Sequence, residues 1–324
     1  MTGPAPRAPL DCRAMSHKIR ALIGVLALLL AACSPLPDVS RSGQKPLVSV
    51  SQTSANPTRA VIVIPGALAS IRLYRDVFEW DLPNTEFLGY RFPGFDGLAL
   101  DHRLSIPQAG ARIGAYVEAL DYDEVWLIGY STGGPVALEA AMNMDTGKRD
   151  VRVALLSSAA PAPAAFASGI NGMGDLVAAA HRAQSWDGKE LWAENYRTLL
   201  FGRRHYRNDW LAAISERAAN GVRGKLSTPH EGLGAAHSAG LISWHPSDPA
   251  NLEAATIGFF HGEEDPIFSE RTARRFARDV RADQFKAYRA GGHLLFLTHP
   301  CVLDHIKQMF ETGAPPASTC FLRK

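Results

Sequence analysis

The sequence feature that most constrains the fold is a glycine-rich segment at residues 129–134, which reads Gly-Tyr-Ser-Thr-Gly-Gly. Residues 125–128 before it are apolar and typical of a strand. Residues 135–144 after it are typical of a helix, with Pro135 in the first turn, where proline is tolerated. A strand that passes directly into a helix must turn sharply, and small residues beside the turn keep side chains from colliding. The sequence therefore predicts Ser131 at the apex of a strand–turn–helix.

The rest of the chain alternates predicted strands with predicted helices. Apolar or β-branched runs bounded by turn residues predict strands over residues 60–64, 87–92, 124–129, 151–156, 256–260 and 284–288. Apolar residues at helical spacing predict helices over residues 106–120, 135–144, 269–280 and 295–310. Residues 46–51 could add one short leading strand. This alternation predicts an α/β fold with a mostly parallel sheet flanked by helices on both faces.

The alternation stops at residues 159–255. This interval contains helical stretches such as residues 176–184 and 210–219, several aromatic residues and no convincing strand. It is too long to be a single loop in a compact domain. We therefore expect a helical cap at residues 159–255, inserted into a core formed by residues 59–158 and 256–324.

Two further segments carry side chains that suit a nucleophilic serine. Residues 261–265, His-Gly-Glu-Glu-Asp, follow a predicted strand, and His293 lies in the loop after the last predicted strand. A serine nucleophile needs a base that accepts its proton and an acid that orients this base. His261 lies at the end of a strand and is expected to be structural, and the remaining histidines lack a context that points to chemistry.

Together these features resemble the α/β-hydrolase superfamily over about residues 60–310. The resemblance lies in the strand–turn–helix, in Gly-x-x-Asp after a late strand, in Gly-His after the final strand, and in the chain order Ser131, Asp265, His293. It implies that Ser131 is the nucleophile and that His293 acts as general base and then general acid. It also implies that Asp265 is the acidic member.

Two neighbouring carboxylates are rivals for the acidic position. Glu263 and Glu264 directly precede Asp265. Asp265 is preferred because it lies three residues after Gly262 and directly before Pro266, as the resemblance implies.

The resemblance also implies an oxyanion hole, in which two backbone N–H groups hold the negative charge that develops on the substrate oxygen. One donor is expected from Thr132, and the other from the loop at residues 64–68, with Ala67 preferred and Leu68 in reserve. Pro65 stands where histidine is common in the superfamily, which matters little because the donor is backbone. We find no metal-binding or dinucleotide-binding motif and expect neither a metal nor a cofactor.

The N-terminus resembles a bacterial lipoprotein signal. Residues 15–20 form a short region that carries Lys18 and Arg20, and residues 21–32 are apolar apart from one glycine but too few to span a bilayer, which needs about 20. The stretch ends in Leu-Ala-Ala followed by Cys33, which resembles the lipobox in which the cysteine receives a lipid. The resemblance implies a signal peptide with its lipidation site at residues 1–33, and the polar composition of residues 34–58 favours a tether.

Two alternatives stay open for this segment. It could be a core helix whose cysteine is incidental, and the start codon could encode Met1 or Met15.

Ser34, rather than aspartate, follows the cysteine. By similarity with lipoproteins of two-membrane bacteria, this implies the outer membrane, with the domain facing the periplasm.

Four cysteines are present, at positions 12, 33, 301 and 320. Cys12 precedes the apolar stretch and Cys33 is the expected lipid site. The oxidising compartment favours a disulfide between Cys301 and Cys320, and two separate thiols are the alternative.

Composition limits the partners. The net charge is +2, from 34 basic and 32 acidic residues. The sequence shows no concentrated basic face of the kind that binds nucleic acid. No obligate protein partner is evident. The resemblance implies a serine hydrolase, similar to carboxylesterases and lipases, that cleaves a small acyl ester or a lipid. A thioesterase, an amidase or a peptidase could use the same triad, and a non-catalytic lipid-anchored binding protein is the alternative outside enzymes.

Overall fold

The computed structural model describes residues 45–223, 232–314 and 320 of the protein. One sheet contains the strands β1 (Leu47–Gln52), β2 (Arg59–Ile64), β3 (Thr85–Tyr90), β4 (Glu124–Tyr130), β5 (Asp150–Leu156), β6 (Thr256–Gly262) and β7 (Gln284–Tyr288). The strand order is β1-β3-β2-β4-β5-β6-β7. All neighbouring strands are parallel except β1 and β3, which confirms the predicted mostly parallel sheet.

The α-helices between the strands are α1 (Arg75–Phe78), α2 (Ile106–Leu120), α3 (Gly133–Met142), α4 (Ala164–Ala183), α5 (Gly188–Phe201), α6 (Asp209–Arg223), α7 (Leu233–Ser238) and α8 (Glu270–Asp279). Two more helices, α9 (Leu295–Thr298) and α10 (Cys301–Thr312), follow β7. Helices α4–α7 lie between β5 and β6, where the cap was expected, and we keep the term cap for residues 159–255. The predicted signal peptide, including Cys33, and the first part of the tether lie outside the described residues.

The central strands are buried on both faces, because helices cover both sides of a parallel sheet. On one face α2 and α3 contribute to an apolar cluster that includes Ile113 and Val136. On the other face α10 contributes Phe310, whose ring stacks on Trp126 of β4 with the ring centroids 5.1 Å apart. Strand β1 lies at the edge, and Val50 on it is 44% exposed.

The predicted helix over residues 295–310 is wrong in one respect, since the structure divides it into α9 and α10. The break falls at His299 and Pro300. Proline has no N–H to donate, and its ring disfavours helical backbone in the residue before it. Pro300 therefore starts a new helix rather than continuing the first one.

The cap is tied to the core through a buried carboxylate on α3. Glu139 has no exposed surface and accepts hydrogen bonds from Trp244 Nε1 at 2.8 Å and from the backbone N–H of Ser247 at 3.1 Å. Both donors lie in the segment that leads from the cap back to β6. A buried carboxylate needs such partners, so this contact fixes the end of the cap against the helix that follows Ser131.

The two C-terminal cysteines lie close together. The Cα atoms of Cys301 and Cys320 are 5.8 Å apart, a separation that permits a disulfide.

Within the described ranges, no helix is both long enough and apolar enough to cross a bilayer.

Candidate active site

Ser131 occupies a strained turn between β4 and α3. Its φ angle is +50°, in the left-handed region that residues with a side chain rarely adopt. Two neighbouring segments hold this conformation. The Ser131 N–H donates to the Leu156 carbonyl at 3.1 Å, and its own carbonyl accepts from the N–H groups of Gly134 at 3.0 Å and Ala159 at 2.9 Å. The turn is thereby bonded to the end of β5.

Two glycines let the loop after β2 approach this turn. A Cβ atom on Gly133 would collide with the carbonyl oxygens of Ile64 and Pro65. A Cβ atom on Gly66 would lie 2.8 Å from Cβ of Ser131, which is too close for two carbon atoms. Gly133 and Gly66 therefore allow the expected oxyanion loop to lie directly against the serine.

The structure brings Ser131, His293 and Asp265 together from three different loops at the carboxyl edge of the sheet. His293 Nε2 lies 3.0 Å from Ser131 Oγ, and His293 Nδ1 lies 2.8 Å from Asp265 Oδ2. All three side chains are buried. Because a carboxylate oxygen can only accept, Nδ1 carries the hydrogen and Nε2 is left to accept the hydroxyl proton of Ser131. The arrangement can therefore withdraw a proton from Oγ.

Asp265 is held by its own loop. Its Oδ1 accepts hydrogen bonds from the N–H groups of Ile267 at 2.8 Å and Phe268 at 2.9 Å. Burial alone would raise the pKa of Asp265. The charge and hydrogen bond of His293 and the Phe268 N–H outweigh burial and hold this pKa below its ordinary value. The carboxylate is therefore ionised at neutral pH.

The two rival carboxylates point elsewhere. Glu263 is exposed, and Glu264 forms an ion pair with Arg204 at 2.8 Å. Of the three acidic residues, only Asp265 has its carboxylate at the ring of His293.

His261 is buried and forms a hydrogen bond with the loop that carries Asp265. Its Nε2 lies 2.8 Å from the Phe268 carbonyl, to which it donates, and 3.7 Å from Asp265 Oδ2. Burial lowers the pKa of His261 below its ordinary value, so the ring stays neutral at neutral pH. This matches the structural position expected for it at the end of β6.

The two candidate donors in the oxyanion loop differ. The N–H of Leu68, the reserve candidate, donates to Nδ1 of His237 at 3.1 Å. Leu68 itself has a φ of +59°. Its N–H is thus already bonded, which favours Ala67 as the second donor. Thr132 directly precedes α3, so its N–H belongs to the unpaired donors at the start of that helix.

His237, in cap helix α7, is the residue near the site that sequence reasoning missed. It has no exposed surface, and its Nε2 donates to the Pro93 carbonyl at 2.6 Å while its Nδ1 accepts from Leu68. Burial lowers the pKa of His237 to about 4. The neutral ring therefore joins the oxyanion loop to the loop after β3. No local signal marks this role, because the partners lie 144 and 169 residues away in the chain.

Similarity to known proteins agrees with this architecture. The Alpha/beta hydrolase family matches residues 61–303, which is more than half of the chain. The chain belongs to the alpha/beta hydrolase family. Among curated proteins, none matches the sequence of this hydrolase.

Solved structures resemble the hydrolase at low identity. A hydrolase from Pseudomonas aeruginosa PA01 is 15% identical with a TM-score of 0.60, and the match covers 86% of this chain and 99% of that one. MenH from S. aureus is 18% identical with a TM-score of 0.59, covering 83% and 99%. An esterase from Exiguobacterium antarcticum is 16% identical with a TM-score of 0.52, covering 82% and 92%. These likenesses show the fold and leave the substrate undecided.

The titratable groups of the described ranges include no cluster of three or more His, Cys, Asp or Glu side chains that could hold a metal ion.

We predict that His237 positions the oxyanion loop through its Nδ1 acceptor. His237→Ala removes this acceptor and should lower kcat on a short ester by about tenfold or more, with little change in KM, because an oxyanion donor shifts out of place. His237→Asn keeps an acceptor near the Nδ1 position and should recover much of kcat. His237→Gln reaches towards Pro93 instead and should not. Equal kcat values for the Asn and Gln variants would contradict the prediction.

We also predict that His237 makes stability depend on pH. Its pKa is about 4 in the folded protein, below its ordinary value of about 6.5, so the unfolded chain binds the additional proton. The free energy of unfolding should therefore fall as the pH drops from about 6.5 to about 4, with His237 contributing up to about 3 kcal/mol. Urea unfolding at several pH values tests this. His237→Asn should show a shallower fall, and an identical fall in both proteins would refute the assignment.

Proposed function

We propose that this hydrolase cleaves carboxylic esters through an acyl-enzyme formed on Ser131. The observation that carries the proposal is the continuous hydrogen-bonded path from Ser131 Oγ through the His293 ring to the ionised Asp265. A hydroxyl at a strained turn, an imidazole base at 3.0 Å and a buried acid behind that base have the geometry that acyl transfer requires.

The first half of the reaction acylates the serine. Ser131 Oγ attacks the ester carbonyl while His293 Nε2 accepts its proton, and Asp265 stabilises the positive charge on the ring. The N–H groups of Thr132 and Ala67 hold the oxyanion. The tetrahedral intermediate then collapses, and His293 gives its proton to the departing alcohol.

The second half frees the enzyme. Water loses a proton to His293 as it attacks the acyl-Ser131 carbonyl, and a second oxyanion forms in the same hole. His293 returns the proton to Ser131 Oγ, and the carboxylic acid leaves. The same groups can act on thioesters or amides, and the bond preference depends on the cap residues that contact the leaving group.

We further propose that the enzyme works in the bacterial cell envelope. The sequence of residues 15–33 supports lipidation at Cys33 and an outer-membrane location facing the periplasm. In that oxidising compartment, the 5.8 Å separation between the Cα atoms of Cys301 and Cys320 supports a formed disulfide.

The decisive test of the chemistry uses the chain from Ser34 onwards, which retains every described residue. We expect a fluorophosphonate probe to label Ser131, and Ser131→Ala to abolish labelling and to lower kcat on p-nitrophenyl esters by about 10⁴-fold or more. Ser105→Ala, which removes a hydroxyl elsewhere, should change neither. Absence of labelling in folded wild-type protein would overturn the proposal and favour a binding protein. Faster turnover of a matched thioester or anilide would move the activity to one of those bonds.

The anchor has a separate test in cells. Labelled palmitate should enter the full-length protein, and Cys33→Ser should abolish incorporation and release the protein from the membrane fraction. Cys12→Ser provides the matched control and should change neither result. Palmitate incorporation that persists in Cys33→Ser would show that Cys33 is not the lipid site, and membrane attachment that persists without palmitate would show that the lipid is not the anchor.

A further inference from the structure

Helix α4 of the cap exposes a row of apolar side chains. Phe166, Ile170 and Val177 are 46%, 50% and 52% exposed, and Met173 between them is half-buried. Their spacing of four, three and four residues places them on one side of a helix with about 3.6 residues per turn. Contiguous apolar surface of this kind marks a site of interaction. We call these four residues the apolar stripe.

The stripe lies on the outer side of α4. The opposite side of the helix carries Ala164, Ala167 and Ser168, which line a cavity of about 120 Å³ together with the loop at residues 265–269. This loop contains the proposed catalytic acid. One helix therefore faces the active-site loops with its small residues and faces away from them with the stripe.

The stripe is free of charge. Residues 164–174 contain no acidic or basic side chain. Asp175 is buried and paired with Arg203 at 2.7 Å, so its charge does not lie on the outer face. Trp186, three residues after the end of α4, is 77% exposed. An uncharged apolar helix face with an exposed tryptophan beside it has the chemistry of a surface that enters the boundary of a lipid bilayer.

The N-terminal chain leaves the domain at the same edge of the sheet. Leu47, at the start of β1, pairs with Tyr90, at the carboxyl end of β3, and the Pro46 carbonyl accepts the N–H of Arg91 at 2.8 Å. The carboxyl edge also holds Ser131 and the start of the cap. Cys33 precedes Lys45 by twelve residues, which reach at most about 40 Å. A lipid on Cys33, as proposed above, would therefore keep this edge of the domain within about 40 Å of the membrane.

We infer that the apolar stripe is a docking surface for the lipid bilayer, and that it seats the cap side of the enzyme on the membrane. In this position the active-site edge meets acyl lipids, which identifies membrane lipid esters as the substrate class. The substrate assignment rests on the proposed function. The choice of a bilayer as the occupant of the stripe rests in part on the proposed lipid anchor at Cys33, and vesicle binding by the chain from Ser34 onwards is measured independently of both the anchor and hydrolysis.

The experiment measures sedimentation of the chain from Ser34 onwards with vesicles of phosphatidylethanolamine and phosphatidylglycerol. The test variant is Ile170→Glu with Val177→Glu, and we expect its partition coefficient to fall by about tenfold or more, since two exposed apolar side chains that would insert into the bilayer become charged. The control is Leu120→Glu. Leu120 is 50% exposed, as the stripe residues are, but it ends α2 at the amino edge of the sheet.

Three results would overturn the inference: no vesicle binding by the wild type, equal binding by the test and control variants, or a dimer that the test variant disrupts. The last result would make a second copy the occupant of the stripe. Turnover of a short soluble ester, measured on the same samples, should be unchanged in both variants and shows that they are folded. If the wild type binds vesicles and turns over no ester, the proposed function fails while the docking surface stands.

Discussion

The left-handed turn at Ser131 is the constraint on which the rest of the structure depends. A serine at a φ of +50° is strained by about 1–3 kcal/mol, and this strain persists only where the surroundings fix the backbone. Three hydrogen bonds to Leu156, Gly134 and Ala159 do so, and glycines at the contact let the loop after β2 close over the turn. The left-handed conformation places Oγ beside His293. The fold therefore loses some stability at the turn but gains the geometry that the nucleophile needs.

The pairing of β6 with β7 aligns the other two members of the site. Parallel pairing of Gly262 with Tyr288 brings the loops after these strands side by side, and the Glu264 N–H donates to the Gly291 carbonyl at 2.9 Å. A Cβ atom on Gly262 would collide with the backbone of the second loop. Because the loops touch through backbone, the separation of Asp265 and His293 is set by the sheet rather than by flexible side chains.

Much of this was predictable from the sequence where the signal is local. Strand patterns, the strand–turn–helix and the chain order of the three polar residues each lie in short segments, so the sheet and the grouping around Ser131 follow from them. The division at Pro300 was missed because apolar spacing continues across it. His237 was missed because its partners, Leu68 and Pro93, are close only after folding. The bounds of α4 were also missed, since its first half contains Gly169 and Gly172, and glycine is unfavourable inside a helix.

The cap combines polar contacts with the core on its inner side with an apolar face on part of its outer side. Its inner contacts with the core include a buried imidazole at His237 and the buried carboxylate of Glu139 bonded to Trp244, and removing either partner would leave a desolvated polar group. Its outer face on α4 is apolar. A cap surrounded by water would normally place polar groups outside and apolar groups inside. Here hydrogen bonds hold the inner side of the cap to the core, while the apolar side chains of α4 stay exposed. Such a face is more stable against lipid than against water.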